Sequence, residues 1–194
     1  GRIDILVNNV GAPIPGGPVR LSEEQWQSQL NLNLSTVFLT CKHVIPVMEE
    51  QGSGAIVNVT SHLGLMGSIK PAYAATKGGI ISFTKTLAAQ YVQYGIRANA
   101  IAPSARTRLT LATPGMGALF AIEPEEGEPD LFSPAQISPL VAWLATEKCP
   151  VNGKVFAVSG GSIQTLGGWH VTHTTETDGD WTIDGIAEAV EAWT

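Results

Sequence analysis

Apolar residues along this chain fall into short, nearly continuous runs separated by longer segments of mixed character. Ile3-Asp4-Ile5-Leu6-Val7 stops at Asn8-Asn9-Val10-Gly11, and Ala55-Ile56-Val57-Asn58-Val59-Thr60 follows Gly52-Ser53-Gly54. Ile96-Arg97-Ala98-Asn99-Ala100-Ile101 ends at Ala102-Pro103, and Val155-Phe156-Ala157-Val158 runs into Ser159-Gly160-Gly161. Runs of this length with little alternation are the pattern of strands buried on both faces of a parallel sheet, so four strands are predicted. The segments between them are long enough for crossover helices and carry start signals. Ser22 with Gln25 three residues on reads as a capping box, and Ser133 before Pro134 and Gln136 reads as a second N-cap. Between Tyr73 and Tyr94, residues Ile80, Ile81, Phe83, Leu87, Ala88, Tyr91 and Val92 recur at helical spacing and cover more than one face. That pattern predicts a helix packed both on the sheet and on a second subunit. A last helix is predicted from Asp184 to Trp193, with Ile186, Val190 and Trp193 on one side.

Strands alternating with helices predict an α/β fold with an open parallel sheet, whose ligands lie beyond the carboxyl ends of its strands. Function is therefore expected just after residues 7, 59, 101 and 158, where the small and polar clusters occur. Residues 103–133, with the acidic stretch Glu123-Pro124-Glu125-Glu126-Gly127-Glu128-Pro129-Asp130, are the least regular and read either as a solvated loop or as a mobile lid. Residues 1–168 are expected to form the C-terminal part of a single domain, with 169–194 a tail carrying a short helix of the same domain.

Composition narrows the classes of partner. Eleven Lys and Arg against seventeen Asp and Glu give a net charge of −6, with the basic residues scattered, which argues against nucleic acid. Cys41 and Cys149 lie far apart without metal-ligand spacing and read as two free, buried thiols, in keeping with a reducing compartment. No apolar run approaches the length that crosses a bilayer, and a cytoplasmic, non-membrane protein is expected. The chain opens at Gly1 and enters a strand almost at once, an opening that predicts a fragment.

The chemistry-bearing residues gather near the predicted strand ends. Tyr73 and Lys77 are four apart at the start of a helix, so their side chains share a face and the ammonium can stand beside the phenol. A neighbouring positive charge lowers a phenol's pKa, which would make Tyr73 a usable proton donor and acceptor toward a carbonyl or alcohol. Ser61 lies twelve residues earlier, after a strand, where a loop can return its hydroxyl to the same place as a partner for a substrate oxygen. Asn33, in Asn31-Leu32-Asn33-Leu34, is an amide inside an apolar helical stretch; it either caps a break in the helix or serves the site through backbone or an ordered water. His170, His173, Glu176, Asp178 and Asp180 lack the spacing of a metal site and read as an exposed polar loop.

At these residues the sequence resembles the short-chain dehydrogenase/reductase family. Asn8-Asn9-Val10-Gly11 resembles its Asn-Asn-Ala-Gly motif with Val10 in place of Ala, Asn31 to Leu34 its Asn-containing helix, and Ser61, Tyr73 and Lys77 its catalytic Ser, Tyr and Lys. The segment from Gly95 to Pro103 resembles the strand before its Pro-Gly turn. Within the family, the stretches from Ala102 to Thr110, Pro139 to Leu144 and Gly153 to Val158 look most like the hydroxyacyl-CoA dehydrogenase domain of peroxisomal multifunctional enzymes and bacterial relatives.

The resemblance implies part of a Rossmann-type, doubly wound sheet whose first βα units are missing. It also implies NAD or NADP as cofactor and hydride transfer between nicotinamide and a secondary alcohol or ketone, with a 3-hydroxyacyl-CoA or steroid-like substrate. By resemblance, Tyr73 transfers the proton, Lys77 holds the nicotinamide ribose, Ser61 orients the substrate oxygen and Asn33 anchors a water relay. Asn9, Val10, Gly11, Tyr73, Lys77, Pro103 and Ser104 border the cofactor, and the assembly is a homodimer or homotetramer. Ser104 stands where the family commonly has Gly, a replacement expected to cost backbone freedom. A non-catalytic relative kept for assembly or regulation, and an epimerase or dehydratase using the same Tyr-Lys pair, are the alternative readings.

Overall fold

A computed structural model describes residues 1–66, 68–113 and 117–193. Among the described residues, five strands form one sheet in chain order: β1 (Ile5–Asn8), β2 (Gly54–Val59), β3 (Ile96–Ser104), β4 (Val155–Ser159) and β5 (Ser162–Leu166). The first four run parallel, and β5 returns antiparallel on β4. Helix α1 (Glu23–Leu30) continues through a π-helical turn (Asn31–Ser35) into α2 (Thr36–Gln51), and α3 (Pro71–Tyr91) links β2 to β3. Two short helices, α4 (Arg108–Leu111) and α5 (Gly117–Phe120), precede α6 (Ser138–Ala145), and α7 (Ile183–Glu191) closes the chain.

Helices α2 and α3 cover one face of the sheet. Val37, Cys41, Ile45 and Met48 of α2 and Ile80, Leu87 and Ala88 of α3 pack on Ile56, Ile96 and Ala98. Leu140 and Leu144 of α6 cover the other face over Val57, Ile101, Phe156 and Val158. No described helix is long and apolar enough to cross a membrane.

Three strand expectations need correction. A fifth strand is present: Gly160 and Gly161 form a two-residue turn that sets Ser159 opposite Ser162, with Gly160 at φ +53°, and the alternating Ser162-Ile163-Gln164-Thr165-Leu166 follows as the return arm. β3 does not stop at Ile101, because Pro103 and Ser104 pair with Val158 and Ser159. The Ala100 amide donates to the Lys154 carbonyl of the β4 side, so by alternation the missing N–H of Pro103 points toward β2, which has already ended at Val59. β1 is not buried on both faces. Among the described residues it pairs only with β2, and Ile5 and Val7, on the same side as Val57, are 50% and 43% exposed.

Helix signals fare better. The Ser22 hydroxyl accepts from the Gln25 amide at 3.2 Å while the Gln25 side chain accepts from the Ser22 amide at 3.0 Å, as the capping-box reading requires. Ser133 caps a 3-10 turn (Pro134–Gln136) instead of α6 itself, which begins at Ser138.

Candidate active site

The parallel strands end at Asn8, Val59, Ser104 and Ser159, and the predicted site residues line this rim. Ser61 leaves β2 in extended conformation and caps a 3-10 turn (His62–Gly64), its Oγ accepting from the Leu63 amide at 3.2 Å. Pro71 at the first position of α3 places Tyr73 in the first turn and Lys77 one turn on. The Ser61 hydroxyl lies beside the Tyr73 phenol, close enough to favour its ionised form. The Lys77 ammonium stands 5.5 Å from the centre of the Tyr73 ring and donates to the Val59 carbonyl at 2.8 Å.

Burial governs the electrostatics. Desolvation raises the Tyr73 phenol above its ordinary value, with the Ser61 hydroxyl pulling the other way. Desolvation also lowers the Lys77 ammonium to about 8. The net shift is therefore upward, where the Tyr73–Lys77 spacing predicted a lowered phenol: the ammonium stands over the ring and donates to Val59, and loss of water is the largest effect on both groups.

Asn33 is fully buried in the π-helical turn. Its Oδ1 accepts from the Ala12 amide at 2.9 Å, and its Nδ2 faces the Ala12 carbonyl at 3.2 Å, the Gln29 carbonyl at 3.1 Å and Gln29 Oε1 at 3.2 Å. The amide thus binds backbone, fixing the segment after β1. A Cβ on Gly11 would meet Asn33 Oδ1 at 2.7 Å and Lys77 Nζ at 3.1 Å, so Asn33 and Lys77 flank a strip of bare main chain. Asn9 and Val10 are exposed beside it. Pro103 and Ser104 are half-buried at the end of β3, and Ser104 adopts no positive φ; the expected backbone cost of replacing Gly is absent because the residue is held extended against Ser159.

Two supporting residues escaped the sequence reading. Gln29 is buried, and its side-chain oxygen also accepts from the Ile14 amide at 3.2 Å; its spacing of four from Asn33 was the available signal. Thr60, buried beside Ser61, donates to the Lys77 carbonyl at 2.7 Å.

Residues 1–112 match the family profile of short chain dehydrogenases. The chain belongs to the short-chain dehydrogenase/reductase family. It is 35% identical over 174 residues to a 3-oxoacyl-[acyl-carrier-protein] reductase of Thermotoga maritima, an alignment covering 84% of this chain and 67% of that protein. It is 36% identical over 167 residues to the peroxisomal hydratase-dehydrogenase-epimerase of Saccharomyces cerevisiae, covering 82% of this chain and 18% of that one. The crystal structure of a short chain dehydrogenase from Mycobacterium avium superposes with a TM-score of 0.83 at 32% identity, covering 98% of this chain and 64% of its own. This short-chain dehydrogenase/reductase chain thus spans about two thirds of the length of the first and third of these relatives.

Proposed function

We propose that this chain carries the proton-transfer half of an NAD(P)-dependent oxidoreductase that interconverts a secondary alcohol and its ketone. The observation that carries the reading is the buried Lys77 ammonium 5.5 Å from the centre of the Tyr73 ring, with Ser61 beside the phenol, at the carboxyl rim of the sheet. In the reductive direction Tyr73 gives its proton to the carbonyl oxygen, Ser61 holds that oxygen by hydrogen bonding, and the Lys77 charge stabilises the phenolate left behind. In the oxidative direction Tyr73 removes the alcohol proton and the same charge favours its departure.

A nicotinamide, when bound, supplies or accepts the hydride. The residues present fit its ribose end. Lys77 has three ammonium protons and one bond, to Val59, among the described residues, and Gly11 leaves main chain bare beside it. Asn9, Val10, Gly11, Pro103 and Ser104 would line that side, Tyr73 and Lys77 the other. Asn33 would act by holding the Ala12 backbone in place. The choice between NAD and NADP is left to measurement. The name of the 3-oxoacyl-[acyl-carrier-protein] reductase above favours a 3-oxoacyl thioester, and its 3-hydroxyacyl counterpart in the reverse direction, as substrate. Buried, unpaired Cys41 and Cys149 suit a cytoplasmic setting.

The test pairs nicotinamide fluorescence, with NADH and NADPH titrated separately, with turnover of acetoacetyl-CoA followed by nicotinamide absorbance. Tyr73→Phe is expected to bind cofactor normally and to lose turnover by about 10²-fold or more. A Tyr73→Phe protein with wild-type turnover would remove the reading.

A further inference from the structure

The turn after Ser61 lies against the main chain of α3 with no side chain between them. A Cβ on Gly64 would stand 2.6 Å from Gly78 N, 2.6 Å from the Lys77 carbonyl carbon and 3.0 Å from its oxygen. A Cβ on Gly78 would stand 3.1 Å from the Gly64 oxygen. Every one of these neighbours is backbone, which cannot swing aside as the end of a long side chain can. Thr60 joins the same place from the end of β2. Its amide donates to the Ile101 carbonyl of β3 at 2.7 Å, and its hydroxyl donates to the Lys77 carbonyl at 2.7 Å. The Lys77 side chain returns the tie by donating to Val59.

Ser61 is aimed by this turn. Its carbonyl accepts from the Gly64 amide at 3.0 Å and its hydroxyl from the Leu63 amide at 3.2 Å. The phenol that the hydroxyl meets rides on α3, one turn before Lys77. The separation of the two oxygens is therefore set by how closely the turn rests on the helix.

We propose that Thr60, Gly64 and Gly78 form a main-chain clasp that fixes the Ser61 hydroxyl beside the Tyr73 phenol, and that the three are positioning residues for proton transfer. The proposal rests on the reading of Ser61 and Tyr73 as the proton-transfer pair. A methyl on Gly64 reaches ordinary carbon contact, about 3.5 Å or more, only if the turn retreats by roughly an ångström. Ser61 retreats with it while Tyr73 stays on α3. Misplacement on that scale costs on the order of 10²-fold in rate.

The experiment compares Gly64→Ala, Thr60→Val and Thr60→Ser with wild type in the full protein. Two readouts are taken: kcat and KM with acetoacetyl-CoA, and the titration of Tyr73 by NMR of 13Cζ-labelled tyrosine, assigned by difference against Tyr73→Phe. Gly64→Ala is expected to lower kcat by about 30- to 100-fold, to leave KM within about threefold, and to move the Tyr73 titration upward as the Ser61 hydroxyl draws away. Thr60→Val is expected to move both readouts the same way by less, about 5- to 10-fold in kcat, and Thr60→Ser to restore them. A folded Gly64→Ala protein with wild-type kcat and titration overturns the clasp. Should Gly64→Ala fail to fold, Thr60→Val indistinguishable from wild type in both readouts overturns it. If the wild-type protein turns over no substrate, the functional reading fails by itself, and the Tyr73 titration then decides: a shift in the variants supports the clasp, and no shift overturns it.

Discussion

Lys77 is 2% exposed and has the Val59 carbonyl as its hydrogen-bond acceptor, and burial lowers its ammonium from an ordinary 10.5 to about 8. Because the folded state holds this proton less tightly than the unfolded chain, folding below pH 8 carries a penalty of roughly 3 kcal/mol. The penalty is relieved as pH rises from about 8 toward 10.5, so this group's contribution to stability improves across that window. Lys77→Met, which keeps the length and removes the charge, is expected to gain about 1–3 kcal/mol at pH 7 after the lost hydrogen bond is counted. The gain should vanish near pH 10.5. Urea unfolding of both proteins at the two pH values checks this. Catalysis has the opposite dependence: kcat/KM for ketone reduction is expected to fall as pH rises through about 8, where the ammonium is lost, measured as a pH–rate profile. The direction of these shifts was not legible in the sequence. The spacing of Tyr73 and Lys77 places them together, but how much water each loses depends on strands and turns distant along the chain.

At the scale of elements, the joint between α1 and α2 and the excursion after β3 carry the site's scaffolding. Asn33→Ala would strip the Ala12 amide and carbonyl of their side-chain partner, a loss of about 1–3 kcal/mol, and is expected to speed hydrogen exchange at the Ala12 amide while the rest of α2 stays protected. The excursion is stapled at its base. The Arg106 side chain pairs with Asp130, the Arg106 amide donates to the Phe132 carbonyl at 2.7 Å, and Phe120 meets Phe132 edge-on at 5.0 Å. Arg106→Met should release the exposed acidic stretch, seen as faster cleavage by a glutamate-specific protease after Glu125 and Glu126 without loss of the core's melting transition. Much of the element pattern was readable in advance: the Ser22 box, the α3 stripe and the terminal helix follow from local spacing. The extension of β3 and the π-helical turn follow from partners. Pro103 looks like a stop until β4 pairs with it, and nothing in Asn31-Leu32-Asn33-Leu34 by itself distinguishes a π turn from an α turn.

For the molecule as a whole, two apolar surfaces stand out on opposite sides of the sheet. One is the bare side of β1, with Ile5 and Val7; the other, on α2, holds Phe38 and Leu39, 49% and 47% exposed, with Phe38 edge-on to Phe83 of α3 at 6.4 Å. Exposed apolar area of this kind drives association. Leu39→Glu is expected to lower the mass seen by light scattering if the α2–α3 face joins subunits, as the helical stripe on α3 predicted, and Ile5→Lys to leave that mass unchanged while reducing nonspecific aggregation.

Strand order also coincides with chain order, β1 through β5. As the ribosome delivers this segment, each new strand meets a partner already made and needs no gap held open for a later arrival. Ser61, Tyr73 and Lys77 all emerge before β3, so the trio proposed to transfer the proton can begin to assemble during synthesis. The far side of the proposed cofactor site waits for β4, whose pairing holds Pro103 and Ser104 in place.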